Sequence, residues 1–343
     1  MIDDTPWMVG GGAEHSPEVA RGLAYAATSG NEGIAKSADL RVLAQAVPNG
    51  SVRVMGGTAS MLNKYAGGSG QTYIGRNASS TTVTIAPTTS AGGRTDLVVL
   101  RILDPQYEGS VPANPNTFQY TRLTVIQGVS ANTKSVDSLN LNYPAVALAK
   151  VPIPASTATI TSAMITDLRE MANPRVQSQI ETRPNWSGDD IGRNLELTTR
   201  TAYPAGEWWP NAGGQNGTGA YYVDIPKWAT RMQISMEWLS VRMEAKAGWG
   251  YVWVSYGPGA GSATPTFYTQ GFQWDANESN TYRTNLKVAQ EVSIPAAWRG
   301  TTQPFVGRGT KLNPASGYTG KTELTATSGM VLDIRFLEIP DLD

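Results

Sequence analysis

The run Arg94-Thr-Asp-Leu-Val-Val-Leu-Arg-Ile-Leu-Asp104 is the densest aliphatic stretch of the chain. Its centre, from Leu97 to Leu100, consists of consecutive branched apolar residues, a pattern typical of a strand that is covered on both faces. The run is too short, and too charged at its ends, to span a membrane. We therefore interpret it as the central strand of an N-terminal β domain.

The charges that flank this strand predict an ion pair. Asp96 and Arg101 are expected to pair with each other across the sheet, or with Arg169 and Asp167, respectively, of the helix predicted at the end of this domain. Either arrangement would stabilise the centre of the domain, provided that the carboxylate is buried and hydrogen-bonded.

Length, turn content and periodicity predict the fold class. The chain has 343 residues, enough for about two domains. Only 16% of the residues are charged, while glycine (36) and proline (21) are frequent, so turns recur often. Many segments alternate apolar and polar residues, for example at Val52 and Val54. The pattern favours a mainly β fold with two β-sandwich or jelly-roll-like domains joined by a short helical, proline-containing linker.

The strand pattern stops between the two halves, and this break gives the domain boundaries. The segment Ile165-Thr-Asp-Leu-Arg-Glu-Met-Ala172 is predicted to be a short helix that is capped by Thr166 and ends before Asn173-Pro174. We predict an N-terminal β domain over residues 1–172, a linker over 173–194 and a C-terminal jelly-roll-like β-sandwich over 195–343. Another helix is predicted after Ser16, because proline follows this potential cap.

Charge and residue usage exclude several classes of function. The formal net charge is −1, without a basic patch, which argues against nucleic-acid binding. Cysteine is absent and His15 is the only histidine, so most Ser-His-Asp and Cys-His sites are excluded, and we expect neither a metal nor a cofactor. The segment Met1-Ile-Asp-Asp-Thr-Pro6 lacks the cationic and apolar regions of a signal peptide, so ordinary secretion is not expected.

One strand of the C-terminal half carries the clearest binding pattern. Trp249, Tyr251 and Trp253 share one face of this strand, whereas Val252 and Val254 lie on the other. The aliphatic face is typical of a core. The aromatic face could bind carbohydrate, because flat aromatic rings pack against the apolar faces of sugar rings and tolerate partial hydration. The alternative is that this face lines the core or a contact between subunits.

Trp208 and Trp209 form a second candidate for carbohydrate binding. They are adjacent and are flanked by Gly206 and Pro210, which predicts a loop. The same two interpretations apply to this pair, sugar stacking or packing.

Carboxylate pairs are the remaining candidates for catalysis, since glycoside hydrolysis needs two acids that face one cleft. The available pairs are Asp189-Asp190, Glu207 with Asp224, and Asp275 with Glu278. None of them lies in a recognisable catalytic frame. We therefore expect no catalytic residues and no enzymatic activity.

An ordered set of segments in the first half resembles a known family. The set consists of Leu40-Arg-Val-Leu-Ala-Gln-Ala-Val-Pro-Asn-Gly-Ser-Val-Arg-Val54, Gln71-Thr-Tyr-Ile-Gly75, Arg94-Thr-Asp-Leu-Val-Val-Leu-Arg101, Val151-Pro-Ile-Pro154, and Ile160 through Ile165-Thr-Asp-Leu-Arg169. It is similar to the N-terminal domain of minor tail proteins of long-tailed bacteriophages, most of all those that infect actinobacteria, and it resembles upper-baseplate attachment domains. The resemblance covers roughly residues 15–175.

The resemblance implies a structural component of the virion at the tail tip or baseplate, synthesised in the host cytoplasm. Its N-terminal domain would attach to other tail or baseplate proteins. Its C-terminal sandwich would face the host and could bind cell-envelope polysaccharide. Homotrimers are usual in this family. The alternatives are a glycan-depolymerising tail enzyme and a pure scaffold without receptor binding.

Overall fold

The computed structural model describes residues 16–184, 195–198, 200–209, 220–312 and 318–341. The chain divides into two compact units: unit 1, which comprises Met1–Pro174 and Ile339–Asp343, and unit 2, Arg175–Glu338. The predicted mainly β class with sandwich domains is confirmed. His15 and the pair Asp189-Asp190 lie outside the described residues.

The described part of unit 1 begins with a helix and continues with short strands. In chain order these elements are α1 (Pro17–Thr28), β1 (Gly33–Ile34), β2 (Val42–Ala44), β3 (Ser51–Val54), β4 (Gly57–Leu62), β5 (Thr72–Asn77), β6 (Thr81–Thr84), β7 (Arg94–Ile102), β8 (Thr121–Ile126), β9 (Ala145–Ile153) and β10 (Thr166–Asp167), with short 3-10 helices at Asp137–Leu139 and Ser162–Met164. The strands form three antiparallel sheets, in the orders β1-β4-β5, β2-β3-β6 and β10-β9-β7-β8.

Helix α1 begins where the sequence predicts it. The Ser16 side chain accepts a hydrogen bond from the Val19 backbone N–H at 3.2 Å, and Pro17 occupies the start of the helix. These contacts satisfy one of the free N–H groups of the first turn and place proline where its missing N–H costs nothing. The predicted cap at Ser16 is confirmed.

Strand β7 is the central strand of its sheet, paired with β8 on one side and β9 on the other. All residues from Leu97 to Leu100 are buried. Val98 and Leu100 pack into the main core of unit 1, whereas Leu97 and Val99 pack into a second apolar cluster on the opposite face. The unbroken aliphatic run therefore reflects burial on both faces of the sheet, as predicted.

Asp96 is buried, but its partner differs from the predicted ones. The Asp96 carboxylate accepts hydrogen bonds from Arg94 Nε at 2.8 Å and from the Gly128 backbone N–H at 3.2 Å. Arg101 and Arg169 instead bind other carboxylates. The predicted pairs are thus wrong, because Arg94 reaches the carboxylate from the same face of the same strand, two residues away.

Substituting Asp96 by alanine is expected to destabilise unit 1 by about 2 kcal/mol. The reason is that the Arg94 guanidinium and the Gly128 N–H would both lose their hydrogen bonds to a buried carboxylate. Native-state amide hydrogen exchange of β7 measures the effect, since these amides report the opening of the core. Glu170→Ala is the matched control because Glu170 is exposed, and it should change stability by less than about 0.5 kcal/mol. Equal exchange rates in both variants would show that the Asp96 contacts contribute no stability.

The helix predicted over Ile165 to Ala172 does not form. Thr166 and Asp167 instead pair as β10 with the edge of β9, and Ala172 donates its N–H to the Ile34 carbonyl oxygen. Sheet pairing thus supplies the backbone partners that an isolated helix of two turns would lack, and short helices are marginal without packing.

The predicted linker over 173–194 also begins with regular structure. Val176–Pro184 forms strand β11, which pairs over its whole length with the last strand of unit 2, Gly329–Leu337. Its Val-Gln-Ser-Gln-Ile pattern alternates, but the residues are polar enough to resemble a linker. This part of the segment is therefore a strand of unit 2 and not a linker.

The remaining strands of unit 2 follow in chain order. They are β12 (Leu195–Glu196), β13 (Glu207–Trp208), β14 (Ala220–Asp224), β15 (Arg231–Met243), β16 (Gly248–Tyr256), β17 (Phe272–Ala276), β18 (Tyr282–Ser293), β19 (Thr302–Leu312), β20 (Thr322–Leu324) and β21 (Gly329–Leu337), with a 3-10 helix at Ala296–Trp298. Sheet I contains β11, β21, β15 and β18, extended by β12 and β20 beside β15. Sheet II contains β17, β16 and β19, with both β13 and β14 paired to β19.

The inner faces of sheets I and II enclose the core of unit 2. Met232, Ile234, Met236 and Trp238 of β15 all point into it, as their alternation predicts. The chain passes repeatedly from one sheet to the other, at β14 to β15, β15 to β16 and β18 to β19, which is the behaviour of a jelly-roll-like sandwich. Among the described residues, no helix has the length and hydropathy needed to cross a membrane.

Candidate functional site

Strand β16 lies between β17 and β19 in sheet II and therefore has little freedom to move. Val252 and Val254 point into the core of unit 2. Trp249, Tyr251 and Trp253 share the outer face of the sheet, and the structure places them in very different surroundings. We call Trp249 and Tyr251 the wet end of β16. We call Trp253, together with Tyr203 and Gly206 that cover it, the dry end.

The wet end is partly open to solvent. The rings of Trp249 and Tyr251 lie 6.1 Å apart at an interplanar angle of 76°. Across the sheet, Trp249 is opposite Asp275 and Tyr251 is opposite Gln273, both exposed. The Tyr251 hydroxyl donates a hydrogen bond to Gln273 Oε1 at 3.3 Å. Two aromatic rings beside an amide and a carboxylate on a rigid sheet can pack against the apolar face of a sugar and hydrogen-bond its hydroxyl groups.

The dry end is closed. Trp253 is 0% exposed, and the Tyr203 ring lies edge-on against it at 5.1 Å. Tyr203 is fixed in turn, because its hydroxyl donates to the Thr269 carbonyl oxygen at 2.8 Å. Gly206 covers the rest of the indole so closely that a Cβ there would lie 2.2 Å from the ring. Trp253 therefore cannot contact a ligand, and its assignment as a carbohydrate-binding residue is corrected to a packing role.

Arg308 on β19 holds the cover of the dry end in place. It is 1% exposed and is opposite Trp253 in the sheet. Its guanidinium donates to the carbonyl oxygens of Ala205, Gly206, Ala260 and Ser262 and to Ser255 Oγ. Burial lowers the pKa of Arg308 to about 10, so the side chain remains charged at neutral pH. One cation thus connects two loops, residues 203–206 and 257–262, to the sheet.

The predicted pair Trp208 and Trp209 does not form a sugar platform. Trp209 is 0% exposed and stacks on Trp238 with ring centroids 6.2 Å apart, inside the core. Trp208 is half-buried, packs against Ala220, Ala260 and Val306, and donates its indole N–H to the Gly261 carbonyl oxygen at 3.2 Å. Both are structural because the segment that was predicted to be a loop contains β13, which pairs with β19.

The carboxylates of Glu207 and Asp224 do not face one cleft. Glu207 is opposite Gly309 and Asp224 is opposite Thr302, seven positions apart on β19, which corresponds to about 23 Å along a strand. Glycosidases hold their two carboxyl groups within about 5–10 Å of each other. This pair therefore lacks the geometry of a glycosidase site. In the part of the chain that the structure describes, no group of three or more acidic or histidine side chains could hold a metal ion.

Three site residues were missed by sequence analysis. Tyr203 lies in a segment without a periodic pattern. Gln273 lies in the alternating run Phe272 to Ala276, but nothing in the sequence shows that this run pairs with β16. Arg308 does carry a signal, because it stands directly between Gly307 and Gly309. Glycine inside a strand often marks a place where another backbone approaches closely, and a charge buried at such a place must be hydrogen-bonded.

Comparison with known proteins gives only remote similarity. Neither a family model nor a curated relative matches the chain. Among solved structures, the VP2 subviral particle of infectious bursal disease virus is 12% identical, with 91% of this chain and 79% of that chain covered and a TM-score of 0.21. The tandem domain CBM22-1-CBM22-2 of Paenibacillus barcinonensis Xyn10C is 10% identical, with 84% and 86% covered and a TM-score of 0.21.

A third similar structure is the isomalto-dextranase of Arthrobacter globiformis T6 in complex with panose. It is 10% identical, with 90% of this chain and 36% of that chain covered and a TM-score of 0.20. These structures are thus a viral capsid protein, a pair of carbohydrate-binding modules and a glycan-acting enzyme. At such TM-scores the similarity carries no argument about function.

Proposed function

We propose that this chain is a non-enzymatic structural protein of a bacteriophage virion, placed at the tail tip or baseplate, and that its unit 2 binds host cell-envelope polysaccharide. The observation that carries the binding role is the wet end of β16, where Trp249 and Tyr251 are partly open on a rigid sheet beside exposed Gln273 and Asp275. The placement in the virion is supported by the resemblance of residues 15–175 to minor tail proteins. The first segment of unit 1 ends at Pro174, close to the end of that stretch.

Detection of the chain in purified particles tests the virion role. Gold-labelled antibodies against the full chain should bind one end of the tail, and mass spectrometry should find the chain at constant copy number after extensive washing. Particles that lack the chain but still infect would contradict the proposal. The family resemblance also implies a homotrimer, which sedimentation equilibrium of the purified chain would test.

Removing either ring at the wet end is expected to weaken polysaccharide binding. Trp249→Ala and Tyr251→Ala should each lower the affinity of the full chain for purified host envelope polysaccharide about tenfold, since one stacked ring contributes about 1–1.5 kcal/mol. Both side chains lie partly exposed on the outer face, so the folded state should persist. Isothermal titration calorimetry measures the affinity and circular dichroism checks the fold.

Tyr222→Ala is the matched control for this measurement. Tyr222 is 58% exposed and lies on β14 of the same sheet, away from β16. Its removal should leave the affinity unchanged. Wild-type affinity in the Trp249→Ala, Tyr251→Ala double variant would exclude the wet end as the binding surface and would favour a scaffold role.

A further inference from the structure

Unit 1 contains an open groove of about 800 Å³ where its three sheets meet. Its walls and floor come from β5, β6, β7 and β8 and from the residue Gln119. The groove is lined by all residues of β6, Thr81 to Thr84, and by five consecutive residues of β8, Thr121 to Val125. Consecutive residues of a strand point to opposite faces of its sheet. A groove that contacts all of them therefore runs along the edges of the two strands.

Both of these edges are free in the described part of unit 1. Strand β6 is the last strand in the order β2-β3-β6, and β8 is the last in the order β10-β9-β7-β8. Each pairs with a neighbour on one side only. A free edge presents unpaired backbone N–H and C=O groups, and such a row of groups is a template for another strand.

The floor of the groove is apolar and its rim is polar. Val83 and Leu100 are buried beneath it, while Leu123 and Val125 remain half-buried although they pack against the main core. The core of unit 1 is thus incompletely covered at this point. An extended segment with apolar side chains at alternate positions would cover these residues and direct its other side chains to solvent.

The charges at the groove have one sign. Arg76 and Arg122 are exposed members of the lining, and the described residues that line the groove include no carboxylate. Arg122 packs over the Phe118 ring at 5.3 Å, which leaves its charge at the rim. The same lining residues include no aromatic ring on which a sugar could stack. The arrangement therefore favours an acidic protein segment over a glycan.

We propose that the groove of unit 1 receives an extended acidic segment of a neighbouring protein as an added β-strand. The segment would place about five residues, or about 17 Å of strand, along β8. Its alternate apolar side chains would cover Leu123 and Val125, and its acidic side chains would bind Arg76 and Arg122. This inference deepens the proposed place at the tail tip or baseplate and rests on it, with the neighbour being another tail component.

Three synthetic peptides test the groove on the full chain, with affinity measured by fluorescence anisotropy. The first alternates valine with aspartate, the second alternates valine with lysine, and the third is the acidic peptide with N-methylated backbone amides. The acidic peptide should bind at least about tenfold more tightly than the other two, because only it provides both acidic side chains and strand-pairing N–H groups. Equal binding of the N-methylated peptide, or no binding of the acidic one, would overturn the proposal.

A charge-swapped variant separates the groove from other surfaces. In Arg76→Glu, Arg122→Glu the preference should invert, so that the lysine peptide binds more tightly than the acidic one. Lys134→Glu, an exposed substitution in unit 1 outside the groove, should leave the preference unchanged. A change of oligomeric mass in the charge-swapped variant, without any peptide binding to the wild type, would assign the groove to self-association and contradict the proposal. Because peptide binding requires no particle, the proposal can fail while virion labelling still succeeds.

Discussion

Trp253→Ala is expected to lower the free energy of unfolding of unit 2 by about 4 kcal/mol, the usual scale for removing a large aromatic side chain from a core. Trp253 is 0% exposed, and the ring of Tyr203 packs edge-on against it. Its indole N–H has no hydrogen-bond partner among the described residues, so the loss is one of packing alone. The cavity cannot close easily, because Arg308 holds the segment above it at the Ala205 and Gly206 carbonyl oxygens.

Urea unfolding followed by tryptophan fluorescence measures this change. Trp7 is the only tryptophan that precedes unit 2, so the signal reports mainly on this unit. Tyr222→Ala again serves as control, since it removes an exposed ring from the same sheet. It should lower the free energy of unfolding by less than about 0.5 kcal/mol. If Trp253→Ala lowered the free energy of unfolding by less than about 1 kcal/mol, the result would contradict the burial of Trp253 at the dry end.

Arg308→Met is expected to destabilise unit 2 by about 3 kcal/mol. Methionine preserves much of the side-chain volume, but the carbonyl oxygens of Ala205, Gly206 and Ser262 would lose the guanidinium donor, and Ala260 would retain only Ser255 Oγ. Each buried acceptor left without a partner costs about 1–3 kcal/mol, and part of this cost is recovered when the loops relax and admit water. We therefore expect the total loss of stability to be well below the sum of the costs of the individual unpaired carbonyl oxygens.

The same variant should also change local dynamics. Amides of residues 258–262 should exchange faster in Arg308→Met, because the Ala260 and Ser262 carbonyl oxygens would lose their bonds to β19. Arg335→Met, which removes an exposed arginine from β21, is the matched control and should alter neither stability nor loop exchange. Equal or higher stability of Arg308→Met would mean that apolar packing replaces the buried cation without loss, as occurs in some proteins.

Sequence alone predicted the strands whose neighbours impose a regular pattern. The alternation from Met232 to Trp238 and the unbroken run from Leu97 to Leu100 both follow from which faces are buried. The cap at Ser16 was equally predictable, because a helix N-terminus depends on residues within one turn. Such features depend on local chemistry or on a single periodicity, and both are visible in the sequence.

The exposure of the aromatic face could not be predicted, because its cover comes from distant parts of the chain. Tyr203 lies 50 positions before Trp253, and Arg308 lies 55 positions after it. An alternating strand shows which side chains share a face but not what packs on that face. The same limit explains the error at Ile165 to Ala172, where pairing with β9 replaced the predicted helix.

Amide hydrogen exchange of the full chain, with and without host envelope polysaccharide, tests the central claim most directly. The claim is that polysaccharide binds the wet end of β16 on the outer face of sheet II. The polysaccharide should slow exchange in residues 248–252 and 272–276, which surround Trp249 and Tyr251, and should leave the outer face of sheet I unchanged. Slower exchange confined to β11 and β18 of sheet I, or no change anywhere in unit 2, would contradict it.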